Sequence, residues 1–143
     1  MNTNQFSTFW VDECLYGVNI KMVQEITKSM TVAEVPLAPD YIKGLINLRG
    51  QIATAVGLKE LFKLKSTNSE EGKINVVCKS DSYLLSLIVD EVGDVLELED
   101  SQFELTPETV SPEVSKFMSG VYKLPNNLVS VVDIQKIIDF LNV

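Results

Sequence analysis

Short apolar runs that alternate with polar positions dominate the chain, and they predict strands more often than helices. Runs at 6–11 and 74–78 are rich in β-branched and aromatic residues, and each turns back at polar residues into a second run. The runs at 45–48 and 52–56 flank Arg49-Gly50-Gln51, a predicted hairpin turn in which glycine suits a positive φ. We therefore expect a mainly β protein.

Two short helices are predicted, each directly after a hairpin. The first spans Leu58 to Leu64 and the second spans Ile134 to Leu141. Asp133 is well placed to cap the second helix, whereas Gly57 offers the first only a weaker cap. The polar, Gly-ended segment 65–72 is the predicted junction between two halves of the chain.

The chain also resembles itself. Residues 44–62 align without a gap on residues 120–138, at an offset of 76, so the second hairpin turn falls at 125–127. Earlier in each half, an offset of 69 aligns similar residues: Leu15 with Leu84, Val23 with Val92, Glu25 with Asp94 and Ile26 with Val95. Two matches in the same order indicate a duplicated unit.

The repeat predicts the architecture. A unit of about 65 residues buries only about 60% of its surface alone, so the two units should pack against each other. We expect a single domain over residues 1–143, built as two tandem small β-barrels. The first is predicted at about residues 6–65, and the second, with a C-terminal helix, at about residues 73–143.

The charge distribution argues against nucleic-acid binding. The formal net charge is −8, and the acidic residues concentrate in the second half. Between Asp81 and Glu113 there are ten acidic residues and no basic residue. Phosphate binding needs cations, so nucleic acid is a poor partner for this chain. We expect the acidic residues to form a solvated face rather than a calcium site.

The sequence favours a soluble protein of a reducing compartment. No apolar stretch approaches the roughly 20 residues that span a bilayer, and the start lacks the basic residues of a secretory signal. Cys14 and Cys78 have no zinc-type spacing and suggest no disulfide framework. We therefore expect a cytoplasmic protein without a metal.

Candidate catalytic chemistry is scarce. The chain has no histidine, which removes the usual general base and the commonest metal ligand. Its seven glycines are scattered singly, so no phosphate-binding loop is present. We predict that the protein is not an enzyme, needs no cofactor, and acts by binding other proteins.

A series of motifs between positions 20 and 50 closely resembles the CheW family of chemotaxis coupling proteins. The motifs are Val23-Gln24-Glu25-Ile26, Val35-Pro36-Leu37-Ala38-Pro39, Tyr41-Ile42-Lys43-Gly44 and Asn47-Leu48-Arg49-Gly50. Segments 89–95 and 128–134 also resemble the second-half motifs of that family. The resemblance extends over essentially the whole chain, from about Phe6 to Leu141.

This resemblance implies two SH3-like barrels and a cytoplasmic adaptor at receptor arrays on the inner membrane. The adaptor would join the cytoplasmic tips of chemoreceptors to the regulatory domain of the CheA histidine kinase. Val23, Glu25, Ile26 and Arg49 match the positions at which the family docks receptors. Apolar residues would supply buried area, and the charged pair would fix the register of the partner. The resemblance leaves the kinase-binding residues unassigned and implies no cofactor.

The chain departs from the family after the Arg-Gly turn. Thr54 and Gly57 occupy places where the family commonly has a proline and a helix-capping acidic residue. Two alternatives stay open. One is a docking domain of the same fold within a kinase or a receiver-fused coupling protein, although a chain from Met1 to Val143 favours a free-standing adaptor. The other is a small β-barrel enzyme or ligand-binding protein, which would show a deep pocket with convergent polar groups.

Overall fold

The computed structural model describes residues 3–28, 30–64 and 74–141. The strands in these residues are β1 (Thr3–Val11), β2 (Cys14–Asn19), β3 (Val23–Lys28), β4 (Ile42–Leu48), β5 (Gln51–Gly57), β6 (Ile74–Ser80), β7 (Tyr83–Val89), β8 (Glu91–Glu99), β9 (Phe103–Glu104), β10 (Met118–Lys123) and β11 (Leu128–Val132). The α-helices are α1 (Leu58–Leu61), α2 (Pro112–Ser115) and α3 (Ile134–Leu141). The predicted mainly β fold class is confirmed, while the predicted junction at 65–72 lies outside the described residues.

The described strands form two sheets that join the two halves of the chain. One sheet has the strand order β8-β1-β2-β11-β10-β9, and the other has the order β3-β6-β7-β5-β4. Sheet membership therefore follows a different division from the expected barrels at about 6–65 and 73–143. The physical reason is hydrogen bonding between halves: the β1–β2 hairpin pairs with β8 and β11, and the β6–β7 hairpin pairs with β3 and β5.

The two sheets repeat one strand arrangement. β5 runs parallel to β7 with Ala53 opposite Leu84, and β11 runs parallel to β2 with Val129 opposite Leu15. Ala53 and Val129 are separated by the sequence offset of 76, and Leu15 and Leu84 by the offset of 69. Each parallel pair therefore joins a strand that the offset of 76 aligns to a strand that the offset of 69 aligns. The duplicated unit predicted from the sequence is therefore present as two equivalent sheets.

Gly44 and Gly120 occupy equivalent bulges that bring a neighbouring segment close to the sheet. The register of β4 on β5 shifts just before Gly44, and that of β10 on β11 shifts just before Gly120. A Cβ atom on Gly44 would lie 2.3 Å from the carbonyl oxygen of Ala33, and one on Gly120 would lie 2.3 Å from the ring of Phe103. Glycine is needed at both places because any side chain would collide with that segment.

The core joins the sheets and the helices into one unit. Its largest cluster takes buried side chains from both sheets and from α1 and α3: Phe9, Val18, Val76, Leu85, Leu58 and Ile137 are among them. Smaller clusters lie within each sheet, around Phe6 and Val129 in one and around Ile46 and Val77 in the other. Burial of this apolar area is the main term that stabilises the fold.

The predicted first helix is too long at its C-terminal end. α1 ends at Leu61, and Lys63 has a left-handed φ of 54°. The Lys63 N–H donates to Glu60 and the Leu64 N–H donates to Lys59, which is the hydrogen-bond pattern of a Schellman cap. The second helix has its predicted bounds, and the Asp133 carboxylate accepts the Lys136 N–H at 3.2 Å, as expected for an N-cap.

No helix within the described residues is long and apolar enough to cross a membrane.

Candidate docking surface

Glu25 and Arg49 come together from opposite edges of the five-stranded sheet. Glu25 lies on β3, the first strand of that sheet, and Arg49 lies in the turn that follows β4, the last strand. The Arg49 guanidinium donates a hydrogen bond to the Glu25 carboxylate and forms an ion pair with it. The sheet is therefore curved strongly enough to bring its two edges together at this pair.

The Arg49 turn has the geometry of a two-residue hairpin. Arg49 has a φ of 49° and Gly50 a φ of 90°, so both central residues are left-handed, as a type I′ turn requires. The Asn47 side chain supports the turn because its Oδ1 accepts the Gly50 N–H at 3.0 Å. The positive φ predicted for Gly50 is confirmed. The same geometry places the Arg49 side chain at the tip of the hairpin.

The four predicted site residues differ in burial. Val23 is half-buried and packs against the main core, whereas Ile26 is 41% exposed. The Arg49 side chain is 73% exposed and that of Glu25 is 23% exposed. The surface therefore combines an exposed aliphatic side chain with an ion pair whose cation faces solvent. Val23 contributes to the core as well as to the surface.

The sheet containing β8 carries an equivalent surface, at the residues that the offset of 69 aligns with Val23 and Ile26 but to which no motif gave a role. The register of β3 on β6 shifts between Val23 and Glu25, and the register of β8 on β1 shifts between Val92 and Val95. Val92 and Val95 are exposed there, at 38% and 53%. The sequence feature that points to this surface is the offset of 69, which aligns Val92 with Val23 and Val95 with Ile26. Its turn has Pro125 where the first has Arg49, so it lacks the arginine.

The charged residues beside α1 are paired with one another. Lys59 Nζ lies 3.1 Å from Asp90 Oδ1 and 3.7 Å from Asp12 Oδ1. The Asp12 N–H donates to Asp90 Oδ2 at 2.7 Å. Lys43 and Glu60 form a second pair at 3.0 Å. An open groove of about 570 Å³ lies between this cluster and segment 30–43. These pairs join turns to α1, which is a structural role.

Thr54 and Gly57, the two departures from the family pattern, have local explanations. The Thr54 hydroxyl lies 3.3 Å from the Tyr83 hydroxyl on β7, within hydrogen-bond distance. Gly57 leaves space for the Glu60 carboxylate, whose Oε2 lies 2.7 Å from where a Gly57 Cβ would be. Glu60 thus places its negative charge near the N-terminus of α1, where a capping acidic residue would otherwise lie.

The buried thiol, Cys78, is not an activated nucleophile. Burial raises the pKa of the Cys78 thiol to about 12, so it stays protonated and inert at neutral pH. Cys14 is free and exposed. Within the described residues, no group of three or more acidic, cysteine or histidine side chains is arranged to hold a metal ion.

The described residues thus form two equivalent sheets, with ion pairs beside α1 and an exposed charged hairpin at the edge of one sheet. A family model for the CheW-like domain matches residues 5–141. The chain is 30% identical over 134 residues to the chemotaxis protein CheW of Klebsiella aerogenes, covering 94% of this chain and 81% of that protein. It is 29% identical over 143 residues to CheW of Treponema pallidum, covering 96% and 84%.

The fold has a solved relative. The crystal structure of the scaffolding protein TtCheW from Thermoanaerobacter tengcongensis superimposes with a TM-score of 0.81 at 26% identity, covering 92% of this chain and 89% of that one. The chain belongs to the CheW-like family. This membership confirms the resemblance found in the motifs, and with it the predictions of a chemotaxis adaptor and of a protein without enzymatic activity.

Proposed function

We propose that this adaptor couples chemoreceptors to the CheA histidine kinase, in the cytoplasm and at receptor arrays on the inner membrane. The receptor tip would dock at Val23, Glu25, Ile26 and Arg49. The observation that carries this proposal is the Glu25–Arg49 ion pair, because it joins the two motifs that the resemblance assigns to receptor docking. Exposed Ile26 adds apolar area on the same strand as Glu25.

The energetics of the pair support a role in recognition. An exposed ion pair contributes only about 0–1 kcal/mol to stability. An arginine at the centre of an interface can contribute 2 kcal/mol or more to binding, since the partner excludes water around it. A 73% exposed arginine at a hairpin tip has the access that a partner needs. The arginine therefore has more to contribute to an interface than to the fold.

The adaptor role is tested by assembling the complex from purified parts. The full chain, a receptor cytoplasmic fragment and the CheA regulatory domain are mixed, and the species are resolved by size-exclusion chromatography with light scattering. We expect the chain to bind each partner alone and to form a ternary complex with both. Binding to one partner that displaces the other would contradict coupling, and binding to neither would contradict the proposed function.

The alternative of an enzyme or ligand-binding protein has one candidate feature, the groove of about 570 Å³ beside α1. The two lysines that line it, Lys43 and Lys59, already form ion pairs with Glu60 and Asp90 at 3.0 and 3.1 Å. The adaptor is therefore the better supported function.

A further inference from the structure

The β1–β2 hairpin occupies a slot in the middle of the six-stranded sheet. β1 pairs with β8 on one side of the hairpin, and β2 pairs with β11 on the other. Both of these partner strands come late in the chain, after β7. The strands that directly follow the hairpin, β3, β4 and β5, belong to the other sheet and do not pair with it. The hairpin is therefore held by strands that lie far from it in the sequence.

A single short turn connects the hairpin to the rest of the chain. β2 ends at Asn19, a 3-10 turn covers Ile20–Met22, and β3 begins at Val23 in the other sheet. None of the three turn residues is buried. The Lys21 N–H donates to Asn19 Oδ1 at 3.0 Å, and the Val23 N–H donates to the Ile20 carbonyl. The turn is a hinge whose extension breaks these two hydrogen bonds and displaces no buried residue of the turn.

The fold already contains one exchange of hairpins. The β1–β2 hairpin of the first half completes the sheet of the second half, and the β6–β7 hairpin of the second half completes the sheet of the first. The two hairpins are equivalent, because the offset of 69 aligns Leu15 with Leu84. Two separate units that exchanged this hairpin would form a dimer with the same arrangement. The repeat is therefore built on an exchange that can also take place between chains.

A chain with its hinge extended is complementary to a second copy of itself. The slot between β8 and β11 then has two unpaired strand edges, and the core lacks the side chains of Phe9 and Val18. The hairpin of a second copy has the same sequence, so it restores every strand pairing and core contact. The monomer and the exchanged dimer differ only at the hinge and in the entropy of association. Protein concentration therefore decides between them.

We propose that two copies of this chain exchange their β1–β2 hairpins, so that residues 3–19 of each copy insert between β8 and β11 of the other. Exchange requires breaking the pairings on both sides of the hairpin, so it takes place during folding and the two forms then interconvert slowly. The dimer carries the surface of Glu25 and Arg49 twice, and two linked surfaces bind clustered partners with greater avidity than one. The exchange itself does not depend on the proposed function.

The test places a disulfide reporter across the β1–β8 pair. Gln5 and Glu97 are exposed partners on these strands, and opposite positions on paired strands are close enough for a disulfide bond. The reporter is the full chain with Gln5→Cys, Glu97→Cys and Cys14→Ser, since Cys14 is an exposed thiol. It is refolded at micromolar and at millimolar concentration, separated by size-exclusion chromatography, oxidised, and run on a denaturing gel without reductant.

Refolding at millimolar concentration should give a dimer whose two chains stay linked on the denaturing gel, because each disulfide then joins two copies. Refolding at micromolar concentration should give a monomer with the bond inside one chain. Trp10, the single tryptophan of the chain, lies on β1. Its emission spectrum should be the same in both forms, since the exchange rebuilds its surroundings.

Lys21→Pro tests the hinge. Proline removes the N–H that binds Asn19 and disfavours a helical conformation at Ile20, so it favours the extended hinge. The dimer fraction after micromolar refolding should rise more than fivefold. The matched control is Lys21→Ala, which keeps the N–H and should leave the dimer fraction unchanged.

A dimer that separates into single chains on the denaturing gel would overturn the exchange, since its copies would be associated only through their surfaces. A reporter that stays monomeric at both concentrations would overturn it as well. Equal dimer fractions in Lys21→Pro and Lys21→Ala would show that the turn is not the hinge. The reporter with the native hinge decides the question even where Lys21→Pro fails to fold. Because no receptor or kinase enters the experiment, none of these outcomes bears on the proposed function.

Discussion

Arg49 and Glu25 belong to opposite edges of one five-stranded sheet, and their side chains form an ion pair across the gap between those edges. The pair depends on a hairpin with two left-handed residues, which directs Arg49 toward β3. Glu25 and Arg49 each belong to a motif that resembles the family's receptor-docking positions, so this ion pair is the structural basis of the proposed receptor recognition. The equivalent hairpin of the other sheet has Pro125 in this place, so the two sheets share an architecture but differ in surface chemistry.

The interdependence of the two halves predicts how fragments behave. Four strand pairings, β1–β8, β2–β11, β3–β6 and β5–β7, join residues before and after the junction. Fragments 1–66 and 67–143 should each be unfolded alone, because each lacks strands of both sheets. Mixed together, they should recover the circular dichroism and the cooperative unfolding of the intact chain. Cooperative unfolding of one isolated half would contradict this interdependence.

Lys59 is expected to stabilise the fold rather than to bind a partner. Its side chain is only 13% exposed and lies between the carboxylates of Asp12 and Asp90. Lys59→Met would leave those carboxylates without their cation, so we expect a loss of roughly 3 kcal/mol in the free energy of unfolding, measured with urea. Lys123→Met is the control, since Lys123 is 68% exposed in its pair with Glu104 and should cost less than about 1 kcal/mol. Equal losses in the two variants would show that burial does not set the strength of these pairs.

The two thiols should differ in reactivity and in their effect at high pH. Cys14 is exposed and should react with Ellman's reagent in the folded protein, whereas buried Cys78 should react only on unfolding. Burial raises the Cys78 pKa from 9.0 to about 12, so the unfolded state loses this proton first as the pH rises. Stability should therefore hold below pH 9 and fall between pH 9 and 12. Cys78→Val should reduce that fall, and rapid reaction of both thiols in the folded chain would contradict the burial of Cys78.

The sequence predicted local structure better than sheet membership. Hairpin turns and the Asp133 cap could be predicted because turn and capping residues act on their own backbone. The pairing of β5 with β7 could not, since parallel strands from distant segments carry no local signal. The left-handed Lys63, which ends α1, was missed because lysine gives no sign of that conformation.

The candidate site was predicted through the motifs rather than through the chemistry of single residues. Considered alone, Arg49 would be interpreted as a solvated surface charge. Only its place in the family signature suggested a role in receptor recognition. Its contact with Glu25 depends on the curvature of the sheet, which no local pattern encodes. The second bulge, at Val92 and Val95, was visible in the offset of 69 but had no motif of its own to mark it as a surface.

The most direct test of receptor recognition by Arg49 is the affinity of the receptor fragment for Arg49 variants, measured by titration calorimetry alongside thermal melting. Arg49→Ala should leave the melting temperature nearly unchanged and weaken receptor binding more than tenfold, which corresponds to about 1.4 kcal/mol. Glu25→Lys should also weaken binding, and the exchange Glu25→Lys with Arg49→Glu reports whether the two residues act as a pair. An Arg49→Ala variant that keeps full receptor affinity, or that loses several kcal/mol of stability instead, would contradict the recognition role of this residue.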